Sequence, residues 1–130
     1  MDDALHTLAL EAARRSYSPY SGFPVGAALR TEDGRTYSGC NIENASYPEG
    51  WCAETSAIAH MVMGGGGAIA EVAVLALNAE RCTPCGGCRQ RLAEFGTAET
   101  RVHLCNRDGL VETVRLGDLL PMGFALEKQS

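Results

Sequence analysis

Apolar residues recur along the first segment of the chain with the spacing of a helix. Between residues 3 and 15 they follow the i, i+3, i+4, i+7 pattern of an amphipathic helix. The stretch SYSPYSGFP, with two prolines and a glycine, ends that helix. Residues 52–63 are rich in Ala, Ile and Met without a helix breaker, and they predict a second helix that stops at the glycines of residues 64–67. A third helix is expected in CRQRLAEFG, which Gly96 closes.

Strand-like segments alternate with these helices. The stretch VGAALRTEDGRTYSGCNIEN predicts two strands joined at Asp33-Gly34, a hairpin signal. The run EVAVLALN is continuously apolar, as is typical of a strand buried on both faces. TRVHLCN and LVETVRL predict two further strands around Asp108-Gly109, and LGDLLPMGF predicts a short helical turn and tail. This order indicates an α/β fold with a single five-stranded mixed sheet flanked by helices, in one domain over residues 1–130.

Composition and charge narrow the classes of function. The net charge is −5, with 16 acidic residues against 11 Lys and Arg, so a partner held by phosphate contacts is disfavoured and no nucleic acid is expected. No apolar run approaches the roughly 20 residues that span a bilayer, so no membrane partner is expected. The N-terminus lacks the pattern of a secretory signal, which favours a cytoplasmic protein.

Cysteine and glutamate carry the candidate chemistry. The six cysteines are clustered, and clustered cysteines in a reducing compartment more often bind metal or react than form disulfides. Cys52, Cys85 and Cys88 lie where loops enter helices, whose free N–H groups favour thiolates. Three thiolates suit Zn²⁺ with a fourth position open for water, which is a catalytic arrangement. Glu54 would stand beside that water and accept its proton.

Other ligand sets remain open at this point. Cys82 could join Cys52, Cys85 and Cys88 in a four-cysteine structural zinc site. An iron–sulfur cluster is a further alternative, but the cysteine and proline that would complete the ferredoxin run are absent from the sequence. Gly86 and Gly87 allow the backbone to fold round a metal between Cys85 and Cys88, so we favour Cys82 as a bystander.

Several motifs together resemble the zinc-dependent cytidine deaminases of the short, homotetrameric, three-cysteine type. C-A-E followed later by P-C-x-x-C is the signature of zinc nucleoside deaminases. FPVGAAL, GCNIENASYPEGWCAE, TPCGGCRQRLAEF and LLPMGF extend the resemblance from near residue 15 to Phe124. It implies an α/β/α sandwich, one Zn²⁺ per subunit, and hydrolytic deamination of cytidine and 2′-deoxycytidine to uridine and 2′-deoxyuridine plus ammonia, in pyrimidine salvage.

The same resemblance implies roles for individual residues. Glu54 would shuttle protons, and the small-molecule nucleoside would lie in a closed pocket shared between the subunits of a homotetramer. Phe23 would stack on the pyrimidine, Asn41 and Glu43 would hold the ribose 3′-hydroxyl, and Ala53 with Glu54 would bind the base. Side chains that would close a neighbouring subunit's site are Ala45, Tyr47 and Phe124.

The sequence departs from the family pattern at one position. The three-cysteine family usually has Arg directly after the glutamate, and this chain has Thr55. Three thiolates on Zn²⁺ leave a net charge of −1, so we expect helix N-termini or another cation such as Arg89 to compensate. Two other functions remain open: deamination of another aminated heterocycle, such as a blasticidin-type nucleoside analogue, and a non-catalytic zinc module that Cys82 completes.

Overall fold

The computed structural model describes residues 1–129 and places one sheet between layers of helices. The strands are β1 (Val25–Thr31), β2 (Thr36–Cys40), β3 (Ile69–Ala76), β4 (Arg101–Asn106) and β5 (Gly109–Arg115). The helices are α1 (Asp3–Arg14), α2 (Ala53–Met63), α3 (Gly86–Phe95) and the single turn α4 (Leu116–Leu119). Within this described part of the chain, none of the helices has both the length and the apolar character needed to cross a bilayer.

The strand order β2-β1-β3-β4-β5 makes the sheet mixed. β3 and β4 run parallel because α3 crosses over between them, whereas the other neighbouring pairs are antiparallel. The predicted fold class is therefore confirmed. Several boundaries differ from the sequence prediction by one or two residues. For example, β3 begins at Ile69 rather than at residue 71, and α3 begins at Gly86 because Cys85 is its extended N-cap residue.

Two apolar clusters fill the two faces of the sheet. On one face, Leu5, Ala9 and Ala13 of α1 pack against small and aliphatic residues of the strands. On the other face, α2 and α3 contribute Ala57, Met61 and Leu92 to the larger cluster. The structure is thus an α/β/α sandwich, in which the helices that begin with cysteines share one face of the sheet.

Two glycines allow helices to approach the sheet closely. A Cβ atom on Gly39 of β2 would lie 2.4 Å from the backbone nitrogen of Ala57 in α2. A Cβ atom on Gly26 of β1 would lie 2.1 Å from the carbonyl oxygen of Ala9 in α1. Only hydrogen in place of Cβ fits these contacts, so Gly39 fixes how closely α2 approaches the sheet.

Candidate active site

The N-terminal ends of α2 and α3 lie close together. Cys52 is the N-cap residue of α2, Cys85 is the N-cap residue of α3, and Cys88 lies in the first turn of α3. Neither cap cysteine makes a side-chain capping bond, so both sulfurs are available to a ligand. The first-turn N–H groups and the helix dipoles place partial positive charge at these sulfurs, which stabilises thiolates.

The three sulfurs fit a single zinc ion. The Sγ atoms of Cys52 and Cys85 are 3.7 Å apart, and the three Sγ atoms lie within 4.8 Å of one another. Tetrahedral zinc with bonds of about 2.3 Å places its sulfur ligands about 3.8 Å apart. Cys82 is outside this group; it contacts the apolar core, where burial raises the pKa of its thiol to about 11. The zinc cofactor is confirmed, and the geometry supports three ligands rather than four.

Burial and hydrogen bonds together set the pKa values of the three thiols when no cation is bound. Burial raises the pKa of Cys52 and, more strongly, that of Cys88. Burial also acts to raise the pKa of Cys85, but hydrogen bonds to the backbone and side chain of Cys88 and to Cys52 outweigh it and lower the value. Because zinc binds thiolates, its uptake must release protons, so affinity rises with pH.

Glu54 is the acidic side chain beside this site. It is the second residue of α2 and only 4% exposed. Burial raises its pKa, while its own backbone N–H, the Cys88 side chain and the charge of Arg91 partly offset the shift. A carboxyl whose pKa is moved toward neutrality can both accept and return a proton near neutral pH.

An open cavity of about 180 Å³ leads to Glu54. Phe23, Asn41 and Ala53 line it together with Cys52 and Cys85. Val25, Cys82 and Thr83 also line it; of these, only Cys82 was considered from the sequence, and then as a zinc ligand rather than as part of a cavity wall. The predicted base-binding residues and metal ligands are therefore brought to one place.

The side chain of Asn41 orders the backbone that lines this cavity. Its Oδ1 accepts a hydrogen bond from the backbone N–H of Val25 at 2.9 Å, and another from the hydroxyl of Ser16. Its Nδ2 donates to the carbonyl oxygen of Phe23 at 2.9 Å. Asn41 thus fixes the backbone on both sides of Pro24 and retains one Nδ2 proton for a ligand.

Glu43 lies in a neighbouring cavity of about 300 Å³, which Tyr47 also lines. Its carboxylate accepts hydrogen bonds from the backbone N–H groups of Tyr20 (2.9 Å) and Ser21 (3.1 Å) and from the Ser21 hydroxyl. The Ser21 hydroxyl is the main cause that lowers the pKa of Glu43. In this chain Glu43 therefore orders the loop before Phe23.

The remaining predicted site residues are exposed in the single chain. Ala45 is exposed, and the ring of Tyr47 is 73% exposed and packs edge-on against Tyr20. Phe124 is 70% exposed, and its backbone N–H and carbonyl bond to the side chain of Gln90. None of these three lines the cavity that leads to Glu54.

Two polar residues reach the sulfur of Cys88. The Thr55 hydroxyl oxygen lies 3.6 Å from Cys88 Sγ. Arg91 Nη1 lies 3.0 Å from the Thr55 oxygen and 3.9 Å from the same sulfur. Arg89 instead donates to the carbonyl oxygens of Pro84 (2.9 Å) and Leu119 (3.2 Å). The cation near Cys88 is therefore Arg91 and not Arg89, the cation expected from the sequence. The signal for Arg91 was its spacing of three residues from Cys88, which puts both on the same face of α3.

A buried carboxyl next to three cysteines that can hold Zn²⁺ is the arrangement of a zinc-dependent hydrolase, here on an α/β/α sandwich. Residues 1–104 match the family model of the cytidine and deoxycytidylate deaminase zinc-binding region. The chain belongs to this family, and the predicted resemblance is confirmed.

Individual relatives agree with the family match. Cytidine deaminase of Sporosarcina psychrophila is 43% identical over 92% of this chain and 88% of its own length. That of Mycobacterium tuberculosis is 42% identical over 92% of this chain and 86% of its own. The crystal structure of cytidine deaminase from Burkholderia pseudomallei has a TM-score of 0.88 and 42% identity, covering 95% of this chain and all of that one.

Proposed function

We propose that this chain, as one cytidine deaminase-like domain over residues 1–130, hydrolyses cytidine and 2′-deoxycytidine to the corresponding uridines and ammonia, in pyrimidine salvage. The observation that carries this proposal is Glu54, which is buried, has a raised pKa and lines one cavity with Cys52 and Cys85. The relatives named cytidine deaminase at 42–43% identity support the same substrate.

Cys52, Cys85 and Cys88 would hold the zinc ion. Bound zinc supplies a Lewis acid that makes a water molecule acidic and nucleophilic toward C4 of the cytosine ring. The Glu54 carboxylate accepts a proton from this water and delivers it to N3 of the base. It then transfers the second water proton to the amino group at C4, which departs as ammonia. Protons and atoms balance: water adds, ammonia leaves, and Glu54 returns to its starting state.

The cavity around Glu54 suits an uncharged nucleoside. Phe23 offers an aromatic face on which the pyrimidine can stack, and the first turn of α2 at Ala53 offers backbone groups to the base. Asn41 has one Nδ2 proton left for the ribose. Glu43 would contact a ribose hydroxyl only through carboxylate lone pairs that its three loop donors leave free.

We further propose a homotetramer in which neighbouring subunits complete each site. A cavity of about 180 Å³ is smaller than the roughly 300–1,000 Å³ typical of ligand pockets, so one chain alone does not enclose a nucleoside. Tyr47 and Phe124 expose most of their rings outside this cavity, as residues that close a neighbour's site would. The cytoplasm is the compartment we propose, because free thiols such as all six found here persist under reducing conditions.

Ammonia release from cytidine by the purified, zinc-loaded protein tests the reaction. A Glu54→Gln variant of equal zinc content is the matched control, because the amide keeps the size of the side chain but cannot carry the proton. We expect turnover by the wild type and a loss of about 10²- to 10⁴-fold in kcat for the variant. A zinc-loaded wild type that leaves cytidine and 2′-deoxycytidine intact would overturn the substrate assignment.

Mixed oligomers test the shared site. Glu54→Gln and Tyr47→Ala would each be assayed alone, where we expect little activity, and then co-expressed and purified together. If Tyr47 serves a neighbouring site, some sites in the mixture combine an intact Glu54 with an intact Tyr47, and activity returns. Absence of any recovery in tetramers shown to be mixed would refute the sharing, and a monomer in sedimentation would refute the assembly.

A further inference from the structure

The metal site carries more negative charge than a divalent cation balances. Three thiolates and Zn²⁺ leave a net charge of −1, and the buried Glu54 stands next to them. Thr55 occupies the position after Glu54 and has no charge to offer. Outer hydrogen-bonding and charged groups tune a metal site strongly, so the compensating charge of this chain must come from elsewhere in the fold.

Arg91 is placed to supply that charge. It lies three residues after Cys88 on α3, so both side chains project from the same face of the helix. Its Nη1 lies 3.9 Å from Cys88 Sγ. Nη1 also lies over Gly87, at ordinary contact distance (3.4 Å) from where a Cβ atom on that residue would be. The guanidinium therefore folds back over the first turn of α3, beside a metal ligand.

Thr55 connects the guanidinium to the sulfur. Its hydroxyl oxygen accepts a hydrogen bond from Arg91 Nη1 at 3.0 Å. The only hydroxyl proton is then free to point toward Cys88 Sγ, which lies 3.6 Å from the same oxygen. Donation from a guanidinium polarises the hydroxyl and strengthens its own donation to a thiolate.

We propose that Arg91, acting through and beside Thr55, is the positioning residue that balances the charge of the trithiolate site and holds Cys88 as a zinc ligand. The contact joins the first turn of α2 to α3, and so also sets the distance between the two helices that carry the ligands. Arg89, which bonds the carbonyl oxygens of Pro84 and Leu119, orders the loop into α3 instead.

Zinc retention is the primary test, because it reads the site without reference to catalysis. The rate at which a chelator removes zinc would be measured for the wild type and for Arg91→Gln, Arg91→Lys and the double variant Thr55→Arg/Arg91→Gln. Arg14→Gln is the matched control: it removes the same charge from an exposed position at the end of α1. We expect zinc loss about 10- to 100-fold faster in Arg91→Gln. Arg91→Lys and the double variant, which returns an arginine from α2, should recover most of the retention.

Cobalt substitution supplies a spectroscopic readout of the same contact. The sulfur-to-cobalt charge-transfer band of the Co²⁺ protein should shift in Arg91→Gln and return in Arg91→Lys. Thr55→Val, which removes only the hydroxyl, should show a smaller change in the same direction and serves as the test if Arg91→Gln does not fold.

Two results would overturn the inference. The first is that Arg91→Gln keeps zinc as long as the wild type does and shows an unchanged charge-transfer band. If Arg91→Gln does not fold, the same result in Thr55→Val would overturn the inference. The other is a loss that neither lysine nor the relocated arginine repairs, because packing rather than charge would then explain it. The inference rests on the zinc site of the proposed function, and the two fail differently: a wild type that takes up no zinc refutes the site itself.

Discussion

Replacing Gly39 by alanine tests whether the close packing of α2 against β2 sets the geometry of the metal site. An added Cβ would lie 2.4 Å from the backbone nitrogen of Ala57 and 2.6 Å from Cβ of Ser56. Ordinary contacts begin at 3.4 Å, so helix and strand must separate by about 1 Å. The Ala57 nitrogen belongs to the backbone of α2 and cannot rotate away as a side-chain tip could.

The expected effects are large on both stability and chemistry. Overpacking of a core costs about 1–3 kcal/mol, and contact with backbone favours the upper end. A loss of about 3 kcal/mol lowers the Tm of a domain this size by about 10–15 °C. The moved helix carries Glu54 and has Cys52 as its N-cap residue. A displacement of about 1 Å in a reacting group can cost about 10²-fold in rate. We therefore expect kcat/KM on cytidine to fall about 10²-fold and zinc loss to accelerate.

Gly26→Ala is the matched control for this experiment. Its Cβ would lie 2.1 Å from the Ala9 carbonyl oxygen and 2.5 Å from the Ala13 nitrogen, but α1 is on the sheet face opposite the metal site. Urea and thermal unfolding should show a comparable loss of stability in both variants. Turnover and zinc retention, measured well below each Tm, should suffer in Gly39→Ala alone. Equal activity and zinc retention in both variants would refute the link between the packing of α2 against β2 and the geometry of the metal site.

Three further outcomes follow from single side chains. Burial raises the pKa of Glu54 in the folded, zinc-free protein, so the free energy of unfolding falls as the pH rises above 4.5, the ordinary pKa of a glutamate. Glu54→Gln should therefore be more stable than the wild type at pH 7. Urea unfolding at lower pH should show this difference shrinking. The buried hydroxyl of Ser56 lacks a hydrogen-bond partner among the described residues, so Ser56→Ala should leave stability unchanged or raise it by about 1 kcal/mol in the same assay, and a loss above that size would contradict the reasoning. Asn41→Ala removes bonds to Val25 and Phe23 and should cost about 2 kcal/mol while raising the KM for cytidine; an unchanged KM would separate Asn41 from the substrate.

Local signals in the sequence predict the helices and strands and, to within one or two residues, where they begin and end. The alternation of helical and strand patterns predicts the five-stranded mixed sheet, because each pattern reflects a buried face that the chain must cover. The glycines after residue 63 mark the end of α2, and Asp33-Gly34 marks the turn between β1 and β2. The start of α3 was predicted two residues late, because a cysteine N-cap gives no signal in residue preferences.

The parts of the site that depend on packing could not be predicted. Donor chemistry and spacing selected Cys52, Cys85 and Cys88, and the geometry that brings them together is consistent with that choice. The i, i+3 spacing puts Arg91 rather than Arg89 on the face of Cys88, but the register of α3 against α2 decides that Arg91 also reaches Thr55. The carboxylate of Glu43 orders the loop at Tyr20 and Ser21, a role that depends on backbone geometry remote in sequence.

The electrostatics of this site are local, which reconciles an acidic chain with an anionic metal centre. A net charge of −5 would disfavour a further cluster of thiolates if the whole surface governed the site. Instead, Cys52 and Cys85 lie at the N-termini of α2 and α3, the positive ends of the two helix dipoles, and Arg91 contacts Cys88. Each ligand sulfur thus has its own nearby source of positive charge within one turn of helix. The substrate we propose is uncharged, so nothing in its recognition requires the rest of the surface to be basic.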